Sequence, residues 1–264
     1  MAEARESRTQ KLKGAYVLVI GGSSGLGFAV ALAALDQGAH ITVASSQKVK
    51  VDRALARLRE ASPNHPTTIQ GFVCDLSQPS ELEGNLAALF EAATSTAKLD
   101  HIVLTAGDAV PIKPIADTSV PEMLAAAHVR CLGALVIGKI APKYINAGPK
   151  SSITFTGGVM SHRPMLNWTL QAAWGSAVEG ATRGLSVDLA PIRVNCVSPG
   201  AIETELFDNV PPAARGAVLD GYRDWSLLGA LGAPDEAAES YVYLMRNSFV
   251  TGTTSLVDGG RSVK

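Results

Sequence analysis

The sequence predicts an α/β protein built on one doubly wound parallel sheet of about seven strands, with helices on both faces. Short, almost wholly apolar runs alternate with helix-length segments from residue 15 onward. Strands read this way when helices cover both sides and neither face meets water. The first apolar run passes directly into a glycine cluster that opens a helical segment. With 47% hydrophobic and 18% charged residues, the 264-residue chain can bury one large core, and sheets of this kind stay undivided at that size.

Each element follows in turn. Residues 1–13, MAEARESRTQKLK, are charged and lack an apolar stretch. They are expected to form a solvated arm, not a targeting segment, leaving 14–264 as the single domain. Strands are expected at 16–20, 40–44, 68–73, 101–105, 152–156, 193–197 and 255–257, where β-branched and other apolar residues cluster. Helical patterns fill 25–37, 48–60, 79–94, 120–147, 169–189 and 234–246. The alternation implies parallel pairing through crossover helices. One segment breaks the rhythm. Residues 200–233 are rich in Pro, Ala, Gly and aromatics and precede the last helix and strand, which is where a substrate lid would sit.

Composition excludes several function classes. A formal charge of −1 argues against a nucleic-acid partner, which needs a basic surface. No apolar run was expected to approach the ~20 residues of a membrane span, so the protein is expected to be soluble and cytoplasmic. Cys74, Cys131 and Cys196 form no CxxC pair and read as core residues in a reducing compartment. His128 and His162 lack metal-ligand spacing, and no metal is expected.

The glycine cluster is Gly21-Gly22-Ser23-Ser24-Gly25-Leu26-Gly27. Glycines let the backbone turn tightly and approach a pyrophosphate, and the helix N-terminus adds free N–H groups. Further motifs follow: Cys74-Asp75-Leu76, Thr105-Ala106-Gly107, Arg193-Val194-Asn195 with Ser198-Pro199-Gly200, and Val257-Asp258-Gly259-Gly260. With these, residues 14–260 resemble the short-chain dehydrogenase/reductase family, with its TGxxxGxG, NAG, RVN…PG and VDGG elements. The resemblance implies a Rossmann-type sheet and a nicotinamide dinucleotide. Gly21, Ser23, Ser24, Gly25, Leu26 and Gly27 would hold the phosphates, and Asp75 and Leu76 the adenine. Ala106, Gly107, Pro199, Gly200, Ile202 and Thr204 would line the rest of the cofactor. NAD-specific members end the second strand with an acid. Here Ser45, Ser46 and Lys48 stand there, a set that can receive a 2′-phosphate; alternatively, Lys48 only decorates the next helix. NADP(H) is the expected cofactor.

Gln171-Ala172-Ala173-Trp174-Gly175 resembles the family's YxASK, which puts Gln171 at the tyrosine and Gly175 at the lysine. Gly158 falls at the serine and Arg130, in Arg130-Cys131-Leu132-Gly133, at the asparagine. All four catalytic positions are changed, so ketone chemistry is expected to be very weak. A cationic C=N bond needs no acid on oxygen. Asp108 would favour such a cation, or it is a loop-start residue bonding its own backbone. Arg130 would act in the pocket or neutralise Asp108. Trp168 would be a flat wall for an aromatic substrate, or a core or interface residue.

Within the family the pattern is similar to the fungal NADPH-dependent reductase/Diels–Alderases of malbrancheamide and paraherquamide biosynthesis. That resemblance implies reduction of an iminium-type intermediate from a prenylated indole dipeptide, then an intramolecular [4+2] cycloaddition. It implies roles for Arg130, Trp168 and Asp108, and a homotetramer. Met165 stands where that group carries an aspartate. The other reading left by the sequence is a catalytically silent NADP(H)-binding sensor or scaffold.

Overall fold

The computed structural model describes residues 11–63, 67–107 and 110–264. Seven strands form one parallel sheet: β1 (Tyr16–Ile20), β2 (His40–Ser45), β3 (Ile69–Val73), β4 (His101–Leu104), β5 (Ser152–Thr156), β6 (Arg193–Pro199) and β7 (Thr254–Val257). Their order is β3-β2-β1-β4-β5-β6-β7. The chain starts mid-sheet, winds to one edge, then returns beside β1 and winds the other way. Ile20 is level with Ala44 on one neighbour and Leu104 on the other. The reversal therefore opens a crevice at the carboxyl ends of β1 and β4, where such sheets bind ligands.

Alternation along β1 shows why both faces are covered. Leu18 and Ile20 join one core with Phe90, Ile137 and Phe155. Val17 and Val19 join the opposite core with Val30, Leu35 and Tyr241. The helices are α1 (Gly25–Asp36), α2 (Lys48–Ala61), α3 (Leu82–Ala93), α4 (Val120–Ala125), α5 (Gly133–Ile140), α6 (Thr169–Asp188), α7 (Pro212–Trp225) and α8 (Pro234–Arg246). α1 is apolar on nearly every side because it lies between the sheet and α8. Two buried polar side chains of the sheet are paired. Arg193 donates to the carbonyls of Pro149, Leu244, Met245 and Val250. His101 Nδ1 meets Ser152 Oγ at 2.9 Å. Burial, aided by the nearby Arg193 charge, pushes the His101 pKa down to about 3.

Four expectations are corrected. The solvated arm does not extend to residue 13, because Leu12 is a core residue 1% exposed; residues 1–10 lie outside the described ones. The helix expected over 120–147 is broken. α4 gives way to a π-helical turn at His128–Leu132, then α5, then a 3-10 turn at Ala141–Lys143. Pro142 removes the amide that would continue α5, and Leu132 N donates to Ala127 O, five residues back. The span Val120–Lys143 is also long and apolar enough, by length and composition, to cross a membrane, contrary to the sequence reading. Half of it is buried, which explains its apolarity as core packing. Finally, the 200–233 insert is not loop alone. It holds a 3-10 turn, Glu205–Asn209, and α7, which starts at Pro212 in the favoured first position.

Candidate active site

A cleft of about 1400 Å³ runs across the carboxyl ends of the strands and under the 200–233 insert, the segment expected to act as a lid. At its centre β1 turns at Gly21, whose φ of +93° favours glycine. A Cβ there would lie 2.8 Å from Ala106 Cα. A Cβ on Gly27 would strike the Gly21 carbonyl and Thr105 Oγ1. Only glycine lets α1 sit so close to this turn. Ser24, which precedes α1, makes no side-chain cap and the first turn holds no acid of its own, so the leading amides face the cleft as an anion seat. Ser23, Ser24, Gly25, Leu26 and Gly27 all line it. A dinucleotide's phosphates fit this cradle.

At one end of the cleft stand Ser45, Ser46, Asp75 and Leu76. Ser23 and Ser45 share a hydroxyl hydrogen bond of 2.9 Å, and Asp75 accepts from Ser77 N at 2.9 Å. Lys48 is not brought here. It opens α2 and pairs with Asp52 one turn on, at 2.7 Å, with both side chains exposed. The cations that α2 turns toward the cleft are Lys50, Arg53 and Arg57. Their i, i+3, i+7 spacing puts them on one face of α2, a signal readable in the sequence. Arg57 is held by Phe28, its Cζ 3.8 Å above the ring.

The other end holds the four positions that the resemblance sets against the family's catalytic residues. Arg130, Gly158, Gln171 and Gly175 all line the cleft. Arg130 leaves the π-helical turn and packs against Gly107, where a Cβ would lie 2.8 Å from Cζ. Its Nη1 donates to Gly157 O at 3.5 Å. Gln171 Nε2 donates to Val110 O at 3.1 Å and Pro111 O at 3.2 Å. Two carbonyls on one side fix the amide's orientation. Gln171 Oε1 and Trp174 Nε1 are then buried without a protein partner. Asp108 lies outside the described residues.

Beneath Gly175 is a group the sequence reading missed. Glu179 is buried and accepts from Ser161 Oγ at 2.5 Å, with His162 Nε2 at 2.9 Å. An acid one turn beyond Gly175, on the same helix face, was the available signal. Glu179 and burial push the Cys196 thiol up to about 12, burial contributing most.

The lid supplies the wall. All three tryptophans of the chain, Trp168, Trp174 and Trp225, line the cleft. Trp168 meets Trp225 edge-on at 6.4 Å, Trp225 meets Tyr222 at 4.2 Å, and Tyr222 meets Phe207 at 5.3 Å. Trp225, Tyr222 and Phe207 were not singled out in the sequence, where 200–233 reads only as an aromatic-rich insert. Burial raises the Tyr222 phenol above its ordinary value. Pro199, Gly200, Ile202 and Thr204 line the approach to the lid. Thr204 Oγ1 caps its first turn, accepting from Leu206 N.

Comparison with known proteins follows the same lines. The SDR-like Rossmann domain model matches residues 8–263. The short-chain dehydrogenase/reductase malC of Malbranchea aurantiaca is 36% identical over 261 residues, which are 98% of this chain and 98% of that protein. The short-chain dehydrogenase/reductase ucsE of Acremonium sp is 39% identical, covering 95% of this chain and 96% of its own. The solved MalC reductase/Diels-Alderase from Malbranchea aurantiaca has a TM-score of 0.92 at 35% identity, covering 98% of this chain and 100% of that one. A small-chain dehydrogenase in complex with NADPH has a TM-score of 0.75 at 27% identity, covering 96% and 100%.

Proposed function

Because the chain belongs to the short-chain dehydrogenase/reductase family, we propose that it is an NADP(H)-dependent oxidoreductase that reduces an iminium-type carbon. We propose further that the same cleft directs an intramolecular [4+2] cycloaddition, in fungal indole alkaloid biosynthesis. NADPH, when bound, supplies the hydride.

One observation carries the reading. The position matching the family's tyrosine is Gln171, its amide engaged with two backbone carbonyls, and the lysine position is Gly175. An amide releases no proton near neutral pH, and a positioned general acid is worth roughly 10²–10⁴ in rate, about 3–5 kcal/mol. A carbonyl oxygen would therefore go unprotonated, whereas an iminium carbon is already electrophilic and its product is a neutral amine. Arg130 offers a fixed fork of donors at the cleft floor for a ribose or a substrate carbonyl. Trp168, backed by Trp225, gives a flat surface to an aromatic substrate. Cycloaddition needs restricted conformations more than acid–base groups, which suits a pocket walled by rings. Similarity to the MalC reductase/Diels-Alderase supports both steps.

The test follows NADPH oxidation against cyclic iminium salts and matched ketones, with products separated by chiral chromatography. Turnover of the iminium alone is expected. Ketone turnover at roughly 1–10³ s⁻¹ would refute the reading. NADPH binding without turnover of either would favour a sensor or scaffold. We also propose a homotetramer, because the π-helical turn, α5 and α6 leave Leu132, Leu135 and Val187 exposed. Light scattering at micromolar concentration should then exclude a 27.4 kDa species.

A further inference from the structure

Glu205 sits in the anion seat of the cofactor cleft, although it belongs to the lid. Its Oε2 accepts from Gly25 N, the first amide of α1, at 2.8 Å. Its Oε1 stands 3.9 Å from Arg57 Nη1, and Arg57 comes from the basic face of α2 that also borders the cleft. The carboxylate thus engages both a helix-terminal amide and a guanidinium, the two kinds of group that bind phosphate. The contact joins residues 180 apart in sequence. Glu205 also opens the lid: Thr204 caps the 3-10 turn Glu205–Asn209, and α7, carrying Tyr222 and Trp225, follows.

We propose that Glu205 is a cofactor-responsive latch that couples the phosphate site to the lid. A dinucleotide brings anionic phosphates to the amides of α1. A carboxylate cannot stay beside them without like-charge repulsion, so it leaves Gly25 and Arg57, and Arg57 becomes available to phosphate. The lid's first turn is released with it, and the aromatic wall that α7 presents to substrate is set by cofactor occupancy. The inference concerns the cofactor end of the cleft and stands whether or not the substrate is an iminium.

The test uses 2′,5′-ADP, which carries phosphates but no nicotinamide, with the whole protein and its Glu205→Gln variant. Isothermal titration should show the variant binding roughly 3–30-fold more tightly, since one repelling charge at several ångströms in a partly solvated site has that effect. Hydrogen exchange across residues 204–225 should quicken in the wild type on adding 2′,5′-ADP. In the variant it should be fast already and unchanged. Equal or weaker affinity in Glu205→Gln would overturn the proposal. So would wild-type lid exchange that ignores the ligand, a measurement that does not depend on the variant folding.

Discussion

Replacing Gly107 by alanine displaces Arg130 without deleting it. The added Cβ would overlap the Arg130 Nη2 atom and lie 2.8 Å from Cζ and 2.9 Å from Nε. Non-bonded contacts to carbon need about 3.5 Å, so the end of the guanidinium must withdraw by more than about an ångström. Its marginal contact with Gly157 O, 3.5 Å long, shifts with it, and so does any hydrogen bond it makes to bound substrate or cofactor. A hydrogen bond from a charged donor contributes about 1.5–3 kcal/mol, or roughly 10–150-fold by the usual conversion. If Arg130 organises the reacting groups, kcat/KM for an iminium substrate should fall by about that factor. The clash falls on the end of a flexible side chain, so the melting temperature should move little. The decisive assay is a double-mutant cycle with Arg130→Ala. Once the guanidinium is gone, Gly107→Ala has nothing to displace and should add almost nothing. Additive losses would mean that Gly107 acts on its own, by its contact with cofactor. Full activity in Gly107→Ala would remove the position of Arg130 from the mechanism.

Three further outcomes follow from the geometry. Arg53→Ala should weaken NADPH binding about 10–100-fold in isothermal titration and leave NADH unchanged, because a charge-assisted phosphate contact is lost; Lys48→Ala, which only breaks the exposed pair with Asp52, should have no measurable effect. His101 binds its proton less readily when folded, its pKa falling from 6.5 to about 3. Between those values the unfolded chain holds the extra proton, so stability rises with pH there, by up to about 1.4 kcal/mol per pH unit from this residue. Urea unfolding across pH 4–7 should show that slope, and His101→Gln should flatten it. Gln171→Tyr alone should not confer ketone reduction at ordinary rates, since Gly175 leaves the new phenol without a neighbouring ammonium; an absorbance assay of NADPH oxidation checks it.

The strands, the glycine cradle and the insert at 200–233 were legible in the amino-acid sequence, because each is a local pattern. Apolar runs such as Tyr16–Ile20 report burial on both faces. Gly21 and Gly27 report a close approach of backbones that no side chain permits. The lid's helix was hidden because Gly216 and Gly221 interrupt its pattern, and the break before Arg130 because the flanking residues remain apolar and helix-compatible. Which partner a charge takes was not legible either. Lys48 looked poised for phosphate, yet Asp52 lies one turn away and captures it, while Arg53 and Arg57 face the cleft. Glu205 reaches Gly25, and Trp225 meets Trp168, only after the sheet has folded. Burial is written in the local period of the chain, whereas contacts between distant residues depend on how the elements pack, and only the tertiary structure decides them.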